Sequence, residues 1–372
     1  MKKIRLIKLS TDKISITFNE NITYISGPNS IGKTTLIEII KYGLGLIRIS
    51  SKLSNILGPS SVHIECEIGD KKLSFTRESH NRFLIINGEI NAEIRITSTE
   101  IKEFYNELLQ PCFINGKDDI VAYDILKEAF MTDLSYFKSK KDFRFFKQVM
   151  GIDFSYLDLL KNEIATFEKN IYQEKISFNI LDKYINKVNQ SIRKIEEKAK
   201  DISGIKEVKE ILTEEYANVD KEHRKNIEIL HEAKEVLKKH ENYLNEISNE
   251  RIGIFSSLFE DIYLNLTGEE SKVTFTDLLN GKLQQIIGSK REITISAFYM
   301  TLFASKIDEF HNSCGLFVVD VHRPGMDSKS FNKYREVVEK IVNNNGIQYI
   351  ETTTNQKGSN KIDLNEGWGF YE

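Results

Sequence analysis

The pattern of apolar and polar positions changes twice along the chain. Residues 1–150 alternate short apolar runs with turn signals, which predicts mixed α/β structure. Residues 151–252 carry apolar positions at heptad spacing, and the mixed pattern returns over 253–372. We therefore expect two halves of one α/β domain with a coiled-coil hairpin inserted between them.

The first part is predicted to begin with strands and a helix that follows a glycine-rich turn. Alternating residues 61–90 predict an antiparallel meander with turns at Gly69-Asp70 and Asn87-Gly88. Thr97 and Glu100 form a capping-box pattern, which predicts a helix from Thr97 to Leu109. The expected strands are Ile4–Leu9, Ile14–Phe18 and Ile22–Ser26, and the first expected helix is Thr34–Leu46.

The middle part predicts an antiparallel hairpin of two long helices with its tip near 198–206. Eleven of the twelve seam positions on the first arm are apolar, and Glu174 is the exception. On the second arm, His223, Asn226 and His240 are polar seam residues that we expect to set the register. A metal site is not expected there, because the two histidines are 17 positions apart, which is about 25 Å along a helix. The first-arm seam is 157, 160, 164, 167, 171, 174, 178, 181, 185, 188, 192 and 195.

The last part again predicts alternating helices and strands. Ile362–Glu372 is expected to add an edge strand. The other expected strands are Ser271–Leu278, Leu283–Ile287, Leu316–Val319 and Gln348–Thr352, and the expected helices are Phe255–Leu266, Ile293–Phe310 and Phe331–Val342.

Composition agrees with this layout and excludes several classes of protein. Only four prolines occur in 372 residues and none lies between 112 and 323, which favours long helices over an all-β fold. Cys66, Cys112 and Cys314 form no CxxC pair, so we expect no disulfide framework and no zinc site, and a reducing cytoplasm fits. No run of about 18 apolar residues predicts a membrane span.

The glycine-rich turn after Ile22–Ser26 matches the phosphate-binding pattern GxxxxGK[ST], with a strand before it and a helix after it. Backbone N–H groups of such a loop surround the β-phosphate of ATP. Lys33 is expected to reach the β- and γ-phosphates, and the Thr34 hydroxyl to bind Mg²⁺. The expected binding residues are Gly27, Pro28, Asn29, Ser30, Ile31, Gly32, Lys33, Thr34 and Thr35.

An acidic partner for this metal is expected at the end of a neighbouring buried strand. Leu316–Val319 is apolar throughout and is followed directly by Asp320. This fits the Walker B position, so we expect Asp320 to hold Mg²⁺ directly or through water.

The order of these motifs resembles the SMC/RecN/RecF group of ABC-type ATPases. A P-loop near residue 30, a central coiled-coil hairpin and Asp320 near the C-terminus cover the whole chain as an architecture. The resemblance implies an ATPase head assembled from both ends of the chain, and a homodimer of heads that encloses two ATP molecules.

Other motifs of that group match less closely. The resemblance implies a D-loop at Gly325-Met326-Asp327 and a signature segment at Gly288–Arg291, where Ser289 stands at a helix start. Ser289 could contact a γ-phosphate in trans or act only as a helix N-cap. Asn115 is the nearest substitute for the Q-loop glutamine, and Thr353, Thr354 and Asn355 stand where a switch histidine is expected.

The residue after Asp320 differs from that of hydrolysing relatives. Their glutamate orients the attacking water, whereas Val321 cannot accept a proton. Either hydrolysis is slow and ATP binding acts as the switch, or another group takes this role. The nearby candidates are His322 and Asp327.

The resemblance also suggests partners. Small ATPases of this build resemble components of bacterial DNA-repair or anti-phage systems, in which a separate effector or nuclease is controlled. Only about 50 residues follow Asp320, so no nuclease activity of the chain itself is expected. The predicted tip has no cysteine, so a zinc hook is not expected either.

Three other classes of function compete with a partner-controlling ATPase for this sequence. Direct DNA binding, as in RecF, would use basic residues near the heads, which could equally be an ordinary solvated surface. A transporter subunit is disfavoured by the long hairpin and by the missing LSGGQ signature, and a purely structural coiled coil by the P-loop. The basic residues are Lys3, Lys8, Lys71, Lys72, Lys138, Lys140, Lys141, Arg144 and Lys147.

Overall fold

The chain forms two compact units in a computed structural model. One unit combines Met1–Asp153 with Ser248–Glu372, and the other is Phe154–Ile247. We call them the head and the coil. The structure describes residues 1–28, 31–78, 82–96, 99–112, 121–131, 143–197, 203–281, 289–320, 328–353 and 360–364.

The head contains an antiparallel and a parallel sheet. The antiparallel sheet has the order β2-β1-β4-β5-β6-β7, and the parallel sheet has the order β11-β3-β10-β9-β8. The strands are β1 Ile4–Ser10, β2 Ser15–Thr17, β3 Ile22–Ser26, β4 Val62–Ile68, β5 Lys71–Arg77, β6 Phe83–Gly88, β7 Ala92–Arg95, β8 Phe130–Met131, β9 Leu316–Asp320, β10 Gln348–Thr353 and β11 Lys361–Asp363.

The described helices include two that belong largely to the coil. They are α1 Lys33–Gly43, α2 Ser51–Leu57, α3 Glu100–Leu109, α4 Val121–Glu128, α5 Phe143–Val149, α6 Ser155–Glu196, α7 Ser203–Thr267, α8 Phe275–Leu279, α9 Ser289–Tyr299 and α10 Ser328–Asn345. A π-helical turn, Met300–Ala304, continues α9.

Helix α1 lies between the two sheets, and eight of its eleven residues are buried. It packs against β4 and β5 of the antiparallel sheet and against β9 of the parallel sheet. Gly43 permits the closest approach, since a Cβ atom there would lie 2.5 Å from Ile64 Cδ1. The helix that follows the phosphate-binding pattern is therefore anchored in the core of the head.

The predicted meander is present, with one turn displaced. Strands β4 to β7 pair antiparallel in sequence order, and β4 and β5 meet at Gly69-Asp70 as predicted. The prediction of a turn at Asn87-Gly88 is wrong, because both residues end β6 and pair with β5. Gly88 is needed there for close approach, since a Cβ atom would lie 2.5 Å from the carbonyl oxygen of Lys72.

Several other predicted elements differ in type or extent. The expected strand at Ser271–Leu278 is wrong, because Thr274 and Asp277 form a capping box that begins α8. The expected helix at Phe255–Leu266 is the end of α7, which runs through Gly253 without a break. Helix α3 begins at Glu100, and its N-cap is Thr99.

The predicted helix Ile293–Phe310 ends earlier, with the π-helical turn. Beyond it, Asp308 accepts backbone N–H bonds from Phe310 and His311, which stabilises a turn. His311 is fully buried and holds this turn against the π-helical residue Leu302 through a 2.9 Å bond from Nε2 to the Leu302 carbonyl.

The coil is a pair of helices whose polar seam residues find one another. Glu174 Oε2 lies 2.9 Å from His223 Nδ1, and Asn226 Nδ2 donates to Glu174 Oε1 at 2.5 Å. The ring of Phe178 packs against the His223 ring at 5.2 Å. The one polar position on the first seam therefore faces two of the three polar positions on the second.

Candidate functional site

The carboxyl ends of three parallel strands meet in the head. In the register of the sheet, Thr353 of β10 lies beside Ser26 of β3, and Thr352 lies beside Asp320 of β9. The glycine-rich segment that follows Ser26 and the predicted metal ligand Asp320 are thus separated by one strand. Ligand sites of open parallel sheets lie at this edge.

The N-terminus of α1 is suited to bind an anion. Gly32 precedes the helix with φ at +89°, a conformation that favours glycine. No acidic side chain lies in the first turn of α1. The N–H groups and the positive end of the helix dipole are therefore available to a phosphate.

Gly27 begins the loop in a tightly packed position. A Cβ atom there would lie 2.8 Å from Ile31 Cγ2 and 3.0 Å from the Leu364 carbonyl oxygen. Its N–H donates to the Thr353 carbonyl at 3.3 Å. The start of the loop is thus fixed between β10 and the segment after β11, which explains why glycine is required here.

Lys33 lies at the centre of the loop. Its Nζ donates to the carbonyl oxygens of Gly27 at 2.7 Å and Pro28 at 2.6 Å. Burial lowers the pKa of Lys33, while the nearby carboxylate of Asp320 acts in the opposite direction. The ammonium group therefore lies inside the loop and within electrostatic reach of Asp320.

Asp320 ends β9 and is held by the neighbouring strand. The Thr352 hydroxyl donates to Asp320 Oδ1 at 2.5 Å. Thr34, on the first turn of α1, is half-buried, whereas the next residue, Thr35, is buried. The hydroxyl of Thr34 and the carboxylate of Asp320 are oxygen donors of the kind that Mg²⁺ prefers.

A buried ion pair between α10 and β10 supports the end of β10, and it is not among the features predicted from the sequence. Glu351 is fully buried and accepts bonds from Arg335 Nη2 at 2.6 Å and from the Tyr349 hydroxyl at 2.9 Å. Arg335 Nη2 also donates to Thr353 Oγ1 at 2.6 Å. The guanidinium group lies against the rings of Tyr24, at 4.9 Å, and Phe331, at 4.5 Å. Arg335 thus ties α10 to the end of β10 beside the loop.

The sequence signal for this ion pair is a charged residue within a buried strand. β10 is buried at every position, and Glu351 lies in its middle. A carboxylate in such a strand needs a cationic partner. The prediction from the resemblance concerned only the end of this strand and the segment after it, where a switch histidine is expected.

The remaining predicted site residues are placed only in part. Ser289 is the first residue of α9, as a helix-start position requires, but its side chain is not among those described. Asn29, Ser30, Asn115, His322 and Asp327 lie outside the described residues, as do Thr354 and Asn355. Their predicted roles stay predictions.

The fold is that of SMC heads. The Smc head domain of Pyrococcus furiosus, with an extended coiled coil, aligns with a TM-score of 0.57 at 14% identity, over 95% of this chain and 90% of that chain. The Smc head of Pyrococcus yayanosii, with a coiled coil and joint, aligns with a TM-score of 0.57 at 12% identity, over 94% and 92%. No curated protein sequence matches the chain.

The sequence places the chain in a family. Residues 1–252 match AAA_23, an AAA domain, and the chain belongs to this family. Together with the fold, this confirms the resemblance to SMC/RecF-like ABC-type P-loop ATPases, with a head assembled from both ends of the chain and a helical insertion. Nucleotide binding follows from this class.

In the described part of the chain, no helix has the length and hydrophobicity that a membrane span requires. No group of three or more His, Cys, Asp or Glu side chains is placed there to bind a metal ion.

Proposed function

We propose that the head binds ATP with Mg²⁺ at the edge where β3, β10 and β9 end. The observation that carries this proposal is the placement of Lys33 inside the loop and of Asp320 one strand away. The α1 N-terminus and Lys33 would bind the phosphates, and Thr34 and Asp320 would hold the metal. Bound Mg²⁺ would neutralise phosphate charge.

Binding would change the contacts of Lys33. Its Nζ now bonds to two loop carbonyls, and phosphate oxygens would compete for the same N–H groups. Thr352 would keep Asp320 oriented, because its hydroxyl occupies Oδ1. Hydrolysis would be slow, since Val321 follows Asp320 and has no group that orients water.

We further propose that ATP joins two heads and that this dimer controls a separate effector or nuclease acting on DNA, in bacterial anti-phage defence. One part of this proposal, the binding of a separate protein, has a parallel in the same fold, because the Pyrococcus furiosus Smc head was solved bound to the C-terminal domain of ScpA. In that protein, a head of this fold carries a second protein.

Direct binding of DNA is less well supported by the described basic residues. Lys3 Nζ donates to the carbonyl oxygens of Asn345 and Gly346, where it caps the end of α10. In the sheet, Lys8 and Lys72 are paired in register with Glu65 and Glu67. Because lysine and glutamate side chains stand side by side on this face of the sheet, its attraction for phosphates is weak.

Titration of the chain with a fluorescent ATP analogue, with and without Mg²⁺, tests the site. Lys33→Ala should abolish binding, because it removes the only side-chain cation of the loop pattern. Thr352→Val should retain binding and weaken its dependence on Mg²⁺, because Asp320 loses its hydrogen bond. Lys72→Ala, at an exposed position of β5 in the antiparallel sheet, is the control and should bind normally.

Size-exclusion chromatography with ATP and Mg²⁺ tests the proposed dimerisation of the heads. The unmutated chain should elute as a dimer, and Lys33→Ala as a monomer. Equal nucleotide affinity of the unmutated chain and Lys33→Ala would contradict the proposed site. Tight ATP binding without a dimer would contradict only the proposed switch.

A further inference from the structure

An apolar groove runs between two helices of the head. One wall is the end of α7, residues 254–265, the other is a face of α10 over residues 333–345, and the floor is residues 305–307. Its volume is about 600 Å³. Each wall spans about three turns of helix, or roughly 16–18 Å. We call it the α7–α10 groove, and its apolar lining is Ile254, Leu258, Ile262, Ile307, Val337 and Ile341.

The floor of the groove is held by side-chain hydrogen bonds. Asn345 Oδ1 accepts from the Lys306 N–H at 2.8 Å, and Asn345 Nδ2 donates to the Ile341 carbonyl at 2.7 Å. The Ser305 hydroxyl donates to the Met300 carbonyl at 3.0 Å. These bonds fix the floor to α10 and to the π-helical turn, so the groove is formed before anything binds in it.

The groove is open to solvent along its rim. Asp261, Lys333, Glu336 and Lys340 are exposed, whereas Ile262 below them is 3% exposed. A small molecule on the floor would keep much of its surface in water, although small-molecule sites bury about 70–90% of their ligand. An occupant that covers both floor and rim is larger, which indicates a segment of a protein.

The walls determine the backbone conformation of that segment. Both walls are helices whose backbone groups bond within the helix, so they offer no sheet edge to an extended strand. An extended segment would place unpaired N–H and C=O groups over the apolar floor. A helix satisfies these groups internally, and an amphipathic helix can lay its apolar face into the groove.

The rim charges determine the polar flank of such a helix. Lys333 and Lys340 are seven residues apart, so they lie on one side of α10 about two turns apart. Neither makes an ion pair or a hydrogen bond within the part of the chain that the structure describes. Glu336 lies between them, which leaves one net positive charge from these three side chains. Asp261 stands on the opposite wall, so carboxylates of an occupant belong on the α10 side.

We propose that the α7–α10 groove binds an acidic amphipathic helix of a separate protein. The helix places apolar side chains on the floor and carboxylates beside Lys333 and Lys340. Pairs of opposite charge on one flank fix the rotation of the helix about its own axis. The groove shares no residue with the proposed ATP site, and its test uses no nucleotide, so either proposal can fail without the other.

Fluorescence anisotropy of the full chain with two labelled synthetic helical peptides tests the groove. Both peptides carry leucine at positions i, i+4, i+7 and i+11 and glutamine elsewhere, except that one flank is glutamate in the first and lysine in the second. The glutamate peptide should bind about tenfold more tightly at low salt, because two ion pairs replace two repulsions. Val337→Ser should weaken both peptides, since it removes apolar surface from the groove.

Reversing the rim charges is the decisive variant. Lys333→Glu/Lys340→Glu changes only exposed side chains and should invert the preference, so that the lysine peptide binds more tightly. Lys221→Glu/Lys225→Glu, at two exposed positions of α7 in the coil, changes the net charge equally and is the matched control. This control should retain the preference for glutamate. Hydrogen exchange should slow at amides of 254–265 and 333–345 when the glutamate peptide is bound.

Four results would overturn the proposal. The first is that neither peptide binds at about 1 mM, and the second is that both bind equally. The third is a preference for glutamate that survives Lys333→Glu/Lys340→Glu, or protection from exchange that lies only outside the two walls. The fourth is a concentration-dependent dimer of the unmutated chain that Val337→Ser abolishes, because the groove would then hold a second copy of this chain.

Discussion

The head and the coil each contain a carboxylate that accepts bonds from a basic side chain and a second donor, but in different surroundings. In the head, Glu351 accepts from Arg335 and Tyr349 and is 0% exposed. In the coil, Glu174 meets His223 and Asn226 and is 18% exposed. The chemistry of the two groups is similar, and their burial is not.

The difference in burial determines whether each carboxylate contributes mainly to stability or to register. Burial raises the pKa of Glu351, and the guanidinium group of Arg335 acts against this shift. The carboxylate therefore depends on Arg335, because water cannot reach it. In the coil, water can replace a lost partner, so Glu174 has a larger effect on register than on stability.

The largest expected effect is the loss of Arg335. Arg335→Met leaves Glu351 buried without its cation, and we expect the free energy of unfolding of the head to fall by about 3–5 kcal/mol. Urea denaturation followed by hydrogen exchange at amides of β9 and β10 measures this loss.

The matched control removes both charges. Arg335→Met/Glu351→Leu fills a similar volume with apolar atoms and should recover most of the stability. A single variant that loses less than about 1 kcal/mol would mean that the carboxylate is protonated or solvated, and the contrast with Glu174 would then disappear.

A smaller effect is expected from the protonation of His311 in the head. His311 Nδ1 accepts from the Ile307 N–H at 3.3 Å, and its Nε2 lies 2.9 Å from the Leu302 carbonyl, so the ring is neutral. Burial lowers the pKa of His311 from 6.5 to about 4. The unfolded chain binds a proton first, so stability is complete above about pH 6.5 and is lost as pH falls toward 4, by about 3 kcal/mol.

Urea denaturation of the head at pH 7 and pH 5 measures this dependence. His311→Gln can make both hydrogen bonds without titrating, so its stability should change less over this interval. His223→Gln, in the coil, should leave the head's dependence on pH unchanged. An equally steep dependence in His311→Gln would assign the effect to other groups.

Much of the fold could be predicted because its signals are local. Short stretches of sequence predict the strand Ile22–Ser26, the glycine-rich loop and the long helices of the coil, each without reference to the rest of the chain. The strand predicted at Ser271–Leu278 is wrong because its alternation is a weaker signal than the capping box of Thr274 and Asp277, which begins a helix. Gly253 did not end a helix, since α7 continues without a break.

The site was predictable only where its residues follow one another in the chain. Lys33 and Asp320 belong to local motifs, whereas Thr352 and Arg335 gain their roles from the strand order and from α10. Nothing in the sequence says that β10 lies between β3 and β9. That placement is what brings the Thr352 hydroxyl to Asp320.

The smallest expected effect is the loss of Glu174 in the coil. Glu174→Ala should lower the stability of the coil by less than about 1 kcal/mol, because its partners can bond to water. Hydrogen exchange at amides of α6 and α7 measures the change. Ile164→Ala, at a buried seam position of the same helix, is the control and should cost about 2–5 kcal/mol. Equal losses in the two variants would show that the polar seam residues stabilise the coil as strongly as its apolar core does, and burial would then not explain the difference between Glu351 and Glu174.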